Sequence, residues 1–128
     1  MDQYSGYKWL IDELVGVANR NVIANRIRQN GHSFRTNDSD DFPLSAEEKQ
    51  EKDLLLSLSP DARILFAKMI ERARRSAVHD IASFLEGEIS VGKMSVFVGD
   101  QKLEDSPYAS YHYDFTCRIE GDDWADLD

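Results

Sequence analysis

The stretch Asp61–Glu86 constrains the fold of this chain more than any other feature. As one helix it spans roughly 39 Å, about the width of a compact domain of this length. Its apolar residues recur at intervals of three and four, which predicts a stripe along one helical face. The stripe contains Phe66, Met69, Ile70, Ala73, Ala77, Ile81, Phe84 and Leu85, with Ala67 and Val78 at its margin. We therefore expect the other elements to pack along this stripe.

The ends of this helix have their own signals. Ser59 is suited to cap the first turn, and Pro60 suits the first helical position, where no N–H is needed. Gly87 is a typical stop, so the predicted helix covers about 60–86. Asp80 lies within the apolar stripe and needs a partner there, for which Arg118 is the first choice. We therefore expect Asp80→Ala to cost more stability than His79→Ala.

Two further helices are predicted before the long one. Apolar residues recur at helical spacing over about 4–28, and Asn30-Gly31 ends the pattern. Ser45 and Glu48 form a Ser-x-x-Glu capping box, which predicts a helix over about 45–57. The polar segment between these helices is rich in Asn, Asp and Ser, and it predicts a long loop without the glycine and glutamate of a calcium-binding loop.

After Gly87 the apolar period changes from 3.6 to 2, which indicates strands. Strands are predicted over about 94–98, 101–104 and 109–119, with Gly99-Asp100 as a turn between the first two. On the last strand, Tyr111, Tyr113, Phe115, Cys117 and Ile119 share one face. The fold class is therefore α+β: a single domain, 1–128, with three helices, the last one long, packed on a small antiparallel sheet at the C-terminal end.

Charge is unevenly distributed along the chain. The net charge is −9, and from Asp100 onward there are nine acidic and only two basic residues. An acidic tail, 120–128, follows the last predicted strand. Such a region repels phosphates, so we expect no nucleic-acid partner, whereas a basic protein partner is favoured electrostatically. Acidic tails also keep proteins soluble, which is the simpler interpretation.

The compartment follows from cysteine use and from the absence of long apolar runs. One cysteine, Cys117, excludes an internal disulfide and suits a reducing cytoplasm. No apolar run is long enough to span a membrane, and the N-terminal residues lack the pattern of a signal peptide. We therefore expect a cytoplasmic protein without a membrane partner.

The chemistry-bearing residues form no recognisable catalytic motif. Phosphate-binding loops, a nucleophile elbow and cysteine–histidine spacing are all missing, so the sequence predicts no catalytic residue, no metal and no cofactor. The residues that suit a binding site lie on the long helix and on the last strand with its tail. They are Asp80, Asp114 and Arg118 as polar groups, and Tyr113 and Trp124 as walls. A structural ion pair between Asp80 and Arg118 is the alternative.

A resemblance enters through three motifs. They are Leu58-Ser59-Pro60, the helix ending in Val78-His79-Asp80, and the pattern Tyr113-Asp114-Phe115-x-x-Arg118-x-x-Gly121-x-x-Trp124. Over the C-terminal two-thirds of the chain they resemble a family of small uncharacterised bacterial proteins, a domain of unknown function. The resemblance implies a bacterial cytoplasmic protein and no particular activity.

Three hypotheses about function follow. The first is a non-enzymatic protein-interaction module, for instance of the immunity type, whose acidic C-terminal region receives a basic partner. The alternative is a small-molecule binder or enzyme with a polar site between the long helix and the last strand. A structural homo-oligomer, joined through the sheet edge or Trp124, is the third.

Overall fold

The computed structural model describes residues 2–32 and 43–127. Over these residues the chain forms five helices and one two-stranded hairpin, so the α+β class holds in a strongly helical form with more helices than predicted. The elements are α1 (Ser5–Ala18), α2 (Val22–Asn30), α3 (Ala46–Ser57), α4 (Pro60–Ser90), β1 (Phe97–Val98), β2 (Gln101–Lys102) and α5 (Tyr111–Ile119). Residues 33–42 of the predicted polar loop lie outside the described residues.

The described residues group into two compact units, one from residues 2–20 with 74–127 and the other from residues 21–73. The prediction of a single domain stays a prediction. The first unit contains α1, the second part of α4, the hairpin and α5. Its core is formed by Tyr7, Ile11, Ala18, Val78, Ala82, Leu103, Tyr111 and Phe115. Three of these residues are aromatic, and the rings of Tyr7 and Tyr111 meet edge to face at 4.9 Å between centroids.

The second unit contains α2, α3 and the first part of α4. Its smaller core is formed by Ala24, Ile27, Leu55 and Ala67. The predicted capping box begins α3: the Glu48 N–H donates to the Ser45 hydroxyl, and the Ser45 N–H donates to the Glu48 carboxylate. An ion pair between Arg28 and Glu71 lies on the outside of this unit.

The predicted first helix, 4–28, is wrong as one element. It is divided at residues 19–21 into α1 and α2. Asn19 and Asn21 favour helix ends, because their short side chains compete with the backbone for hydrogen bonds. The stop at Asn30-Gly31 is confirmed, since Gly31 ends α2 with a left-handed φ of 79°.

The predicted last strand, 109–119, is a helix. Its residues satisfy two periods at once, because polar and apolar residues alternate while Tyr111, Asp114 and Phe115 also recur at helical spacing. These three residues are the buried ones. The Ser110 side chain accepts a hydrogen bond from the Tyr113 N–H at 3.2 Å, so Ser110 is the N-cap of α5. This cap favours a helix over a strand for these residues.

The hairpin between Met94 and Glu104 is confirmed in place and shortened in extent. Phe97 pairs with Lys102 and Val98 with Gln101, in antiparallel register. The turn falls at Gly99, whose φ of 59° suits a residue without a side chain. The two-residue strands replace the predicted 94–98 and 101–104.

Helix α4 begins as predicted and ends later than predicted. The Ala62 N–H donates to the Ser59 hydroxyl at 3.2 Å, and Pro60 is the first helical residue. Gly87 does not stop the helix, which runs to Ser90, two residues before Gly92 with its φ of 77°. A single helical glycine costs only about 1 kcal/mol relative to alanine, so the neighbouring turns can hold it in place.

The packed face of α4 differs from the predicted stripe. The buried positions are Ala67, Val78 and Ala82, which lie roughly 100–160° around the helix from Phe66. Near the predicted centre, Ile81 is 50% and Phe84 58% exposed. The prediction weighted large apolar residues, whereas small alanines on the neighbouring face allow other elements to pack closest.

Candidate functional site

The first unit places Asp114 in a buried hydrogen-bond network. The Tyr7 hydroxyl from α1 and the Ser106 hydroxyl both donate to Oδ2 of Asp114. Ser106 in turn accepts the Tyr108 N–H at 3.0 Å. Burial, followed by the hydrogen bond to Asp114, raises the pKa of Tyr7 above its ordinary value. The carboxylate therefore joins α1, α5 and the connecting segment before α5.

Arg118 and Trp124 are joined through Asp12 of α1. Nε of Arg118 donates to Asp12 Oδ1 at 2.8 Å, and Nε1 of Trp124 donates to Asp12 Oδ2 at 3.2 Å. The Arg118 guanidinium also donates to the Asp122 carbonyl at 2.7 Å, and its central carbon lies 5.1 Å from the centre of the Trp124 ring. These contacts fasten the residues that follow α5 onto α1.

Trp124 folds back over aromatic side chains. Its ring lies 5.1 Å from that of Tyr108 and 6.0 Å from that of Tyr7, centroid to centroid. The indole contributes apolar area while its N–H has an acceptor, as is typical of a half-buried tryptophan. The C-terminal segment is therefore attached to the body of the unit at this residue.

A half-open cavity of about 190 Å³ lies beside these contacts and is here named the Trp124 cavity. Tyr113, Asp114, Arg118 and Trp124 all contribute to its lining, so four of the five predicted binding residues share one concave site. They meet there because a helix brings residues 114 and 118 onto one face, whereas on a strand they lie about 13 Å apart.

Within this cavity the polar groups divide into two kinds. Oδ2 of Asp114 accepts from Tyr7 and Ser106, and Nε and Nη1 of Arg118 donate to Asp12 and to the Asp122 carbonyl, so both residues are held by other parts of the fold. Asp122 and Asp123 also line the cavity, and both residues are exposed. Tyr113 lies beside them and is 57% exposed. What this site offers to a ligand is therefore an aromatic ring next to carboxylates.

Asp80 does not belong to this site, and its predicted pairing with Arg118 is wrong. The Asp80 side chain is 82% exposed, and its ion-pair contact is with its neighbour His79, at 3.4 Å. The cause is the rotated packing face of α4, which turns Asp80 toward solvent. Cys117, which the predicted strand placed on the same face as Tyr111 and Phe115, is half-buried in the lining of the Trp124 cavity.

Sequence reasoning missed the residues that support the site from a distance. Asp12 is the main one, since it accepts from both Arg118 and Trp124. Tyr7 and Ser106 are the others. The sequence shows Asp12 next to Ile11 on a helix otherwise rich in apolar residues, which indicates an acid close to the core. It does not indicate the partners of Asp12, because they lie more than 100 positions away and local spacing carries no information about them.

The geometry defines a helix-rich α+β protein with an aromatic and acidic cavity where its C-terminal segment returns to α1. The chain belongs to the family of unknown function DUF6547, whose model matches residues 1–126. Neither a curated protein nor a solved structure matches it significantly. No helix in the described parts is long and apolar enough to cross a membrane. Those parts also contain no group of three or more His, Cys, Asp or Glu residues placed to hold a metal ion.

Proposed function

We propose that this protein is a non-enzymatic protein-interaction module of the bacterial cytoplasm, which receives a basic side chain of a partner protein at the Trp124 cavity. An immunity-type protein that neutralises a basic toxin is one form of this function. The observation that supports the proposal is the position of Tyr113, Asp122 and Asp123 around one cavity, with the tyrosine ring and both aspartates exposed.

The chemistry of these groups favours a cation. Two carboxylates attract an arginine or lysine side chain, and a tyrosine face adds a cation–π contact. Exposed tyrosines are also frequent anchors in protein interfaces. A further acid of the segment, Asp126, extends the negative field beyond the cavity, which speeds encounter with a basic partner.

The size of the cavity favours a side chain over a whole metabolite. Ligand pockets commonly measure roughly 300–1,000 Å³, and the Trp124 cavity is smaller, at about 190 Å³. Trp124 and Arg118 also hold the C-terminal segment on α1 before any partner binds, and this favours binding. A surface that is already ordered loses less conformational entropy when a partner binds.

Affinity capture from the cytoplasm of the source organism tests this function. The baits are the wild-type protein and the double variant Asp122→Asn/Asp123→Asn. The matched control is Asp100→Asn/Glu104→Gln, which removes two exposed charges of the same unit away from the cavity. We expect a basic protein to be retained by the wild type and the control. It should be lost from the cavity variant and at about 1 M salt, where the screening length falls to about 3 Å.

Two results of the capture count against the proposal. One is that no protein is retained by the wild type even at low salt. The other is that the cavity variant and the control variant retain the same proteins in the same amounts, because the cavity carboxylates then contribute nothing specific.

A small-molecule binder is the second candidate, because four predicted binding residues line the same cavity. In that case a free cation such as arginine amide should bind as tightly as an arginine-containing peptide. The interaction module instead requires the peptide to bind more tightly, since a partner surface also contacts the surrounding acids.

A further inference from the structure

A second concave site lies on the other side of α5, between this helix and the second part of α4. We name it the α4–α5 groove. Its volume is about 440 Å³, which falls within the range of small-molecule pockets. Arg75, Ser76 and His79 line it from α4, and Phe115, Ile119 and Glu120 line it from α5 and its C-terminal cap. The Trp124 cavity shares none of these six residues.

The charges of this groove are opposite and unpaired. Arg75 comes from one helix and Glu120 from the end of the other, and both are exposed. Within the described parts of the chain, neither side chain forms an ion pair or a hydrogen bond, and the two do not pair with each other. A guanidinium and a carboxylate are therefore both available to a ligand in the same groove.

The floor of the groove is apolar. Phe115 is almost fully buried and Ile119 is half-buried, so each presents only part of its side chain there. The Ser76 hydroxyl on the α4 side adds a neutral hydrogen-bonding group. An apolar floor with a few polar groups of defined charge is the usual composition of a small-molecule site.

We propose that the α4–α5 groove binds a small zwitterion with an apolar body, of the chemical class of a free amino acid. Arg75 binds the carboxylate of the ligand, Glu120 binds its ammonium group, and the apolar part packs on Phe115 and Ile119. Arginine suits a carboxylate because its planar donors match the two oxygens. The inference does not depend on the proposed function, since it uses a different surface and a different ligand.

Calorimetric titration of the whole protein with matched probes tests the inference. L-Phenylalanine and 6-aminohexanoate contain both charges at different spacing, 3-phenylpropionate lacks the ammonium group, and 2-phenylethylamine lacks the carboxylate. We expect at least one of the two zwitterions to bind with a dissociation constant below about 10 mM, and the matching single-charge probes to bind about tenfold more weakly.

Two variants assign the charges. Arg75→Gln should weaken the bound zwitterion about tenfold and leave 2-phenylethylamine unchanged, while Glu120→Gln should weaken it equally and leave 3-phenylpropionate unchanged. Arg72→Gln is the matched control, because Arg72 is an exposed arginine of α4 that does not line the groove. Thermal melting verifies that each variant is folded.

The proposal is overturned if neither zwitterion binds in this range or if the single-charge probes bind as tightly as the zwitterions. It is also overturned if Arg72→Gln weakens binding as much as Arg75→Gln. Amide chemical shifts of the wild type provide an independent check, since bound ligand must move the signals of Ser76 and Ile119 rather than those near Trp124.

Discussion

At the scale of single residues, Asp114 is the buried acceptor that joins α1 and the segment before α5 to α5. It is 5% exposed and accepts from Tyr7 and Ser106. We predict that Asp114→Ala lowers the free energy of unfolding by about 2–4 kcal/mol, because the buried Tyr7 hydroxyl and the half-buried Ser106 hydroxyl lose their acceptor. Urea unfolding measures this difference. The control Asp123→Ala, at an exposed carboxylate, should stay within about 0.5 kcal/mol of the wild type. A loss at Asp114 no larger than at Asp123 contradicts the network.

Tyr7 makes the stability of the same unit sensitive to alkaline pH. Burial and the bond to Asp114 raise the pKa of Tyr7 above its ordinary value of 10.0. The neutral hydroxyl is the form that the folded state prefers, so its contribution is complete below about pH 10 and is lost as the pH rises toward the folded-state pKa. The free energy of unfolding should therefore fall less steeply above about pH 10 in Tyr7→Phe than in the wild type.

Urea titrations at a series of alkaline pH values measure these two slopes. Burial also raises the pKa of Tyr111, to about 12, but that residue is present in both proteins. The difference between the slopes therefore reports Tyr7 alone. Parallel curves for the two proteins would show that the hydroxyl of Tyr7 is not buried against a carboxylate.

At the scale of elements, the orientation of α4 is the point on which sequence and structure differ most. Because Ala82 is 0% exposed and Phe84 58% exposed, we predict a cost of about 1–3 kcal/mol for Ala82→Leu, from overpacking. Phe84→Ala should cost less than about 1 kcal/mol, as is usual for surface positions. If the predicted stripe were the packed face, Phe84→Ala would instead cost about 3–5 kcal/mol. Chemical denaturation of the two variants measures both costs, and the variant with the larger cost identifies the packed face of α4.

The same orientation reverses the expected order of Asp80→Ala and His79→Ala. His79 stacks edge to face on His112, with 5.2 Å between ring centroids, whereas the Asp80 side chain is 82% exposed. The structure therefore predicts that His79→Ala lowers the free energy of unfolding more than Asp80→Ala does. A larger loss of stability for Asp80→Ala would contradict the packed face of α4 in the structure and would support the apolar stripe that the sequence predicts.

The capping signals and the turns were predictable because they depend on a few adjacent residues. Ser45 with Glu48, Ser59 with Pro60, Asn30 with Gly31, and the Gly99 turn all lie where the sequence placed them. Helix α5 was not predictable from period alone, because its residues alternate in polarity and also repeat at helical spacing. Its N-cap, Ser110, was the local signal that decides between the two structures.

At the scale of the whole molecule, the sequence predicted the α+β class. It placed its candidate binding residues between the long helix and the last strand, whereas four of them line the Trp124 cavity, whose lining includes no residue of α4. It could not predict which partner each residue has, because Tyr7 and Asp12 lie more than 100 positions from Asp114 and Arg118. Local periodicity has no information about such contacts. The two concave sites arise for the same reason, since each is formed by residues that only the fold brings together.

The most direct test of the proposed interaction is a titration of the isotopically labelled protein with an arginine-rich peptide, followed by nuclear magnetic resonance. We predict that the largest shifts fall on Tyr113, Asp122, Asp123 and the indole N–H of Trp124. The peptide should bind about tenfold more weakly to Asp122→Asn/Asp123→Asn than to the control Asp100→Asn/Glu104→Gln. Equal affinities for the two double variants, or shifts that spread evenly over the acidic surface, would contradict a specific basic-side-chain site at the Trp124 cavity.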